Sequence, residues 1–152
     1  MPTIVHHQII NAPPPVCFDL ARDVLTHTET TSQTNEVAVS GRTKGLMEVG
    51  EIVAWQGTHF GVRQHLTAKV TRMEKYHFFE DVMVKGAFQS FTHTHEFKET
   101  LDGGTVMTDV FEYQSPFGLL GRLADLLFLE KYMKKLLTIR ANELKVKAER
   151  QR

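Results

Sequence analysis

The sequence predicts an α+β domain in which one antiparallel sheet is closed by a single long C-terminal helix. Three observations carry this. Between residues 36 and 114, short segments alternate apolar and polar side chains at the two-residue period of strands. Gly61, Lys85-Gly86 and Asp102-Gly103-Gly104 supply turns between several of these segments. After "SPFG" the period lengthens, and "LLGRLADLLFLEKYMKKLLTIRANELKVKAE" runs without proline, with leucines at helical spacing.

The elements follow in order. "TIVHHQII" reads as a first strand, stopped by "NAPPP". Proline suits the first turn of a helix, so "PPVCFDLARDV" is expected to be short and helical. The threonine-rich "LTHTETTSQT" is either a second short helix or a loop. "EVAVSG", "EIVAWQGTHF", "GVRQHLTAKVTRM", "YHFFEDVMV", "AFQSFTHTHEFKE" and "TVMTDVFEYQ" then read as strands. One long helix ends the chain and must bury a face against the sheet.

At 152 residues and with no break in composition, one domain spanning 1–152 is expected. Eighteen basic and eighteen acidic residues balance, which argues against a general nucleic-acid binder. From Glu130 onward eight Lys/Arg face three Glu, read as a solvated helix end. A single cysteine, Cys17, excludes a disulfide framework and fits a reducing compartment; in "PVCFDLA" it reads as a small buried filler. There is no signal-peptide pattern, and the most apolar segment, "LADLLFLEKYM", is too short and too charged to span a bilayer. A cytoplasmic location without an integral membrane segment is the expectation.

Strand alternation in "GAFQSFTHTHEF" places Phe91, His93, His95 and Phe97 on one face. A two-residue Asp-Gly turn after this strand would pair His95 with Val110. A three-residue "LDG" loop pairs Thr100 with Gly104 instead, setting Phe97 opposite Met107, His95 opposite Asp109, His93 opposite Phe111 and Phe91 opposite Tyr113. The second register collects Thr92, Thr94, Glu96, Thr108 and Glu112 on the other face as a solvent side, and is preferred. In the preceding hairpin, a loop of odd length brings Phe79, Asp81 and Met83 to the inner wall; an even one brings Phe78, Glu80 and Val82.

His95 opposite Asp109 is the sharpest chemical feature. A carboxylate on one imidazole nitrogen fixes the tautomer and suits a general base or a ligand-binding donor. A buried pair that merely satisfies itself explains it equally well. A metal held by His93, His95 and Asp109 is the weaker reading: no cysteine or third clustered histidine supports an HxH pair, so no metal and no cofactor is assigned. Ser90 and Ser115 lack a nucleophile elbow, and there is no glycine-rich phosphate loop. On the last helix, the stripe Leu123, Leu126/Leu127, Met133, Leu137, Leu144 passes through Glu130 and Arg140. These two either snorkel to the helix edge or meet the polar groups of the sheet. Trp55 reads as core that can also border a pocket.

Together, "IINAPPPVCFDLARD", "FEDVMVKGAFQSFTHTHEF", "GGTVMTDVFEY" and "SPFGLLGRLAD" resemble the START-like (SRPBCC) superfamily, the polyketide cyclase/dehydrase and lipid transport group, over nearly the whole chain. One departure is that "LTHTETTSQT" stands where the family often has a tryptophan after the first helix. The resemblance implies a helix-grip fold: a curved seven-stranded antiparallel sheet around the C-terminal helix, with two short helices after the first strand. It also implies a ligand cavity between sheet and helix, lined or bordered by Phe91, His93, His95, Met107, Asp109, Phe111 and Tyr113. Trp55, Phe79, Asp81, Leu123 and Leu127 complete the candidate ligand-binding set.

The superfamily includes lipid and quinone carriers, receptors, co-chaperones and some cyclases, so fold alone does not choose a function. The leading expectation is binding or carriage of a small hydrophobic or aromatic molecule: a lipid, a quinone or a polyketide-like compound. One alternative is a cyclase, aromatase or dehydratase using His95 and Asp109 as its acid–base pair; the reading leans away from catalysis. Another is an interaction module with a filled interior. The chain is expected to be a monomer or homodimer.

Overall fold

The computed structural model describes residues 2–151. Strand β1 (Thr3–Ile10) gives way to α1 (Pro14–Arg22), whose first positions are prolines, where no amide donor is needed. Asp23 ends α1 in extended backbone and caps α2 (Val24–Glu29), its carboxylate accepting from the amide and hydroxyl of Thr26. The threonine-rich segment is therefore a helix in its first half and a series of turns in its second.

Six further strands follow: β2 (Val37–Gly41), β3 (Ile52–His59), β4 (Val62–Glu74), β5 (Phe78–Lys85), β6 (Ser90–Glu99) and β7 (Thr105–Gln114). They form one seven-stranded antiparallel sheet in the order β1-β7-β6-β5-β4-β3-β2. Register shifts between Thr67 and Ala68, and between Val70 and Arg72, place irregularities in the long central strand β4, a usual means of bending a sheet. The β6–β7 pairing is the one the "LDG" loop requires, with His95 opposite Asp109 and His93 opposite Phe111. The β5–β6 hairpin takes the odd register, setting Asp81 opposite His93 and Phe79 opposite His95.

The C-terminal helix is continuous in course but not in period. It begins as α3 (Leu119–Ala124), passes through a π-helical turn (Asp125–Leu129) and continues as α4 (Glu130–Gln151). Gly121 lets α3 sit against the preceding loop, because a Cβ there would lie 2.1 Å from the Pro116 carbonyl oxygen. Ser115 at the end of β7 donates to Asp125 across 2.5 Å, anchoring the π-turn to the sheet. Lower down, Leu137, Ala141, Leu144 and Ala148 are the buried face of α4. Ala141, Leu144 and Ala148 join Ile10, Cys17, Phe18, Phe79, Phe97 and Met107 in one core cluster. Phe18 meets Phe79 and Phe97 edge-on there, at 5.6 and 5.4 Å between ring centres. Cys17 is fully buried, the small filler its sequence setting suggests. No helix among the described residues is long and apolar enough to cross a membrane.

Candidate ligand cavity

Above this packed end the sheet and helix separate around a cavity of about 460 Å³. Its wall is formed by Val53 and Trp55 of β3, Leu66, Ala68 and Val70 of β4, Phe79 and Asp81 of β5, Phe91, His93 and His95 of β6, and Phe111 of β7. Leu129, Met133, Leu136, Leu137 and Arg140 form the helical side, and α2 contributes Val24 and His27. Strand alternation explains the apolar wall, since each strand turns every second side chain inward.

Four polar side chains interrupt it as one cluster. His95 Nε2 donates to Asp81 Oδ2 at 3.1 Å, and His93 Nε2 donates to Asp109 Oδ1 at 3.0 Å. His95 Nδ1 lies 3.0 Å from the same Asp109 oxygen, but off the line a hydrogen bond needs, so this second contact is electrostatic. The two imidazoles stack with centres 3.8 Å apart, and Phe79 covers the other side of His95 at 4.2 Å.

The two histidines titrate in opposite directions. Burial opposes charge on His95, but Asp109 and Asp81 outweigh it and raise its pKa. Burial, reinforced by the charge on His95, pushes His93 down, more than Asp109 restores. Burial raises both carboxylates, yet their histidine partners hold Asp81 and Asp109 below the usual carboxylate range. The charge of Arg140, facing the cavity from α4, adds to this at Asp81.

A second polar group lies across the cavity. His27 stacks on Trp55 at 4.1 Å and donates from Nε2 to Glu36 at 3.1 Å. Burial pushes His27 down, and Arg140 adds to this. Burial raises Glu36, but hydrogen bonds from His27 and Thr34 hold it at about 2. The N–H of a neutral imidazole suffices for this hydrogen bond, so the lowered pKa of His27 does not break its contact with ionised Glu36. Nearby, His59 Nδ1 and the Tyr132 hydroxyl are 2.8 Å apart. Arg140 donates from Nη2 to the Ala21 carbonyl, while its Nε is buried without a partner.

Phe60, Phe117 and Leu120 border the cavity and are exposed. Leu119, Leu123, Leu126, Leu127 and Phe128 are exposed on the same helical segment, with Phe60 against Phe128 and Tyr132.

Of the residues singled out in the sequence, Trp55, Phe79, Asp81, Phe91, His93, His95 and Phe111 line the cavity. Five do not. Asp109 stands behind the histidine rings, and Met107 and Tyr113 pack into the core clusters, because the wall at β7 opens on the cavity only at Phe111. Leu123 and Leu127 turn to solvent, 52% and 63% exposed. Their expected stripe assumes an unbroken 3.6-residue period, and the π-turn inserts an extra residue. His95 stands opposite Asp109 in the register expected and 3.0 Å from it, but its hydrogen bond runs to Asp81, and Asp109 accepts from His93 instead. His27, Glu36, His59 and Tyr132 escaped sequence reasoning. The cap pattern Asp23…Thr26 could have located α2, but nothing local announces that His27 reaches Glu36 across an irregular loop.

Curved wall, helical roof and polar recess define a helix-grip protein with an internal cavity. The chain belongs to the family described as polyketide cyclase / dehydrase and lipid transport, whose model matches residues 10–136. No curated protein matches it. Among solved structures, protein TTHA0849 from Thermus thermophilus is similar at 17% identity and a TM-score of 0.79, with 97% of each chain covered. Protein CV1439 from Chromobacterium violaceum is similar at 13% identity and a TM-score of 0.74, covering 97% of this chain and 96% of its own. The major latex-like protein 151 of Panax ginseng is similar at 12% identity and a TM-score of 0.72, with 97% of each chain covered. At these identities the likeness is one of fold.

Proposed function

We propose that this protein binds and carries a small apolar molecule, of lipid, quinone or polyketide-like type, between its sheet and C-terminal helix. The observation that carries the reading is an open cavity of about 460 Å³, apolar over most of its wall and polar at a few fixed points. Such a cavity suits a largely hydrophobic ligand with one or two oxygen-bearing groups. The exposed apolar residues at its border give such a ligand a path that does not cross a polar rim. An open interior counts against the alternative of an interaction module whose core is filled.

Native mass spectrometry of freshly purified protein, followed by identification of co-purified small molecules, tests the proposal. A bound apolar compound, or thermal stabilisation by members of a lipid and aromatic panel, is the expected result. Absence of both would remove it.

The contact of His95 with Asp81 and Asp109 favours a second reading, proton transfer on a bound ketone-bearing substrate. Loss of turnover with retained substrate binding in His95→Ala supports it, and undiminished turnover excludes His95 from that role.

A further inference from the structure

We propose that the recess formed by Asp81, His93 and His95 is a binding site for a divalent first-row transition-metal ion, with Asp109 as the outer carboxylate that holds His93 by a hydrogen bond and lies against His95. The inference is independent of the hydrophobic-ligand reading, since the ion would bind whether or not the cavity is filled.

The donors converge. A carboxylate oxygen of Asp81 and one ring nitrogen from each histidine all lie within 4.8 Å of one another, and all three residues border the cavity. His95 Nε2 and Asp81 Oδ2 are already 3.1 Å apart. Ligands about 2.1 Å from a common tetrahedral ion sit roughly 3.4 Å from each other, so this pair has the spacing of two ligands sharing one ion. These three residues occupy adjacent strands in a register that places Asp81 directly opposite His93. The sheet backbone therefore holds the set.

Asp109 supplies the second requirement. Metal-binding imidazoles generally hand their other nitrogen to a carboxylate or carbonyl, which fixes ring orientation. Here one carboxylate oxygen lies 3.0 Å from Nε2 of His93 and 3.0 Å from Nδ1 of His95. Nε2 of His95, already beside Asp81, would be its coordinating nitrogen, and His93, whose Nε2 bonds Asp109, would offer its other nitrogen to the ion. Asp109 lies behind the rings rather than on the cavity wall, so the third ligand is Asp81 and not Asp109.

The ion takes the place of the proton shared between His95 and Asp81. Two nitrogens and one oxygen suit zinc or iron(II) better than magnesium or calcium, which prefer all-oxygen sets. With three protein ligands, the remaining coordination positions face the cavity and can accept water or an oxygen of a bound molecule.

The test uses the full chain, stripped with a chelator and titrated with cobalt(II) and zinc. One equivalent of cobalt(II) is expected, with the intense visible absorption of a low-coordinate site and displacement by zinc but not by magnesium or calcium. Asp81→Asn and His93→Gln should each weaken binding about 100-fold or more, and Asp109→Asn about 10–100-fold with stoichiometry kept. Circular dichroism confirms that each variant is folded. The wild-type spectrum alone also decides: only the weak spectrum of hydrated cobalt overturns the site. Binding that is undiminished in folded Asp81→Asn and His93→Gln overturns it equally.

Discussion

Ala124 and Leu129 both face the cavity although they stand five positions apart. An α-helix brings residues three or four apart to one face, and the π-turn between them accounts for the additional step. Leucines that a regular helix would direct inward are carried round to solvent. Leu123→Ser and Leu127→Ser should therefore change stability by no more than about 0.5 kcal/mol. Leu144→Ala, in the packed face of α4, should cost about 2–5 kcal/mol. Urea denaturation of the three variants checks the contrast; equal losses would contradict the helix phase described.

Ala68 is small and borders the cavity from β4. Ala68→Phe places a ring into open space, so it should keep most of the fold's stability while removing thermal stabilisation by any ligand of the wild type. A variant that unfolds, or that still gains the full ligand shift, would speak against open space at this position.

Asp109 is buried and is in contact with both imidazoles. Asp109→Ala leaves the histidine rings without that partner in a low-dielectric site, and should cost about 3–5 kcal/mol by equilibrium unfolding. Loss of under 1 kcal/mol would mean that the cluster does not depend on this carboxylate.

The His27–Glu36 pair predicts acid sensitivity. Glu36 is held at about 2, below the ordinary value of 4.5, so its stabilising effect is full above 4.5 and lost as pH falls toward 2. As an upper bound this is on the order of 3 kcal/mol for a side chain 17% exposed. His27 is lowered too: the unfolded chain takes up a proton near 6.5 before the folded one does, so some stability is lost already below that pH. The stability difference between wild type and Glu36→Gln should shrink as pH drops below 4.5, and a constant difference would contradict the assignment.

Much of this was legible in the sequence where local rules are strict. Period-two alternation and the "LDG" loop together fix His95 opposite Asp109, because a one-residue slip would turn the polar set inward. The three prolines mark the start of α1 just as directly. The π-turn was not legible, since it depends on Ser115 holding Asp125 across a loop rather than on helix propensity. His27–Glu36 was missed for a similar reason, as two irregular segments meet only once α2 has docked. The register shifts in β4, which borders the cavity, are likewise invisible in the alternation of that segment.

The imidazole of His95, on β6, sits between carboxylates from β5 and β7. Hydrophobic alternation chooses which face of β6 points inward, but it tolerates a slip of two residues, which leaves every face unchanged. Charge does not tolerate it. A slip that moved Phe97 into the place of His95 would carry His95 into the place of His93, so Asp109 would keep one imidazole while Asp81 lost its hydrogen-bond donor and met a benzene ring instead. Side-chain hydrophobicity thus selects the face, and the bond from His95 to Asp81 helps select the rung, so the same ring that marks the candidate site also keys the alignment of β6 on β5 during assembly.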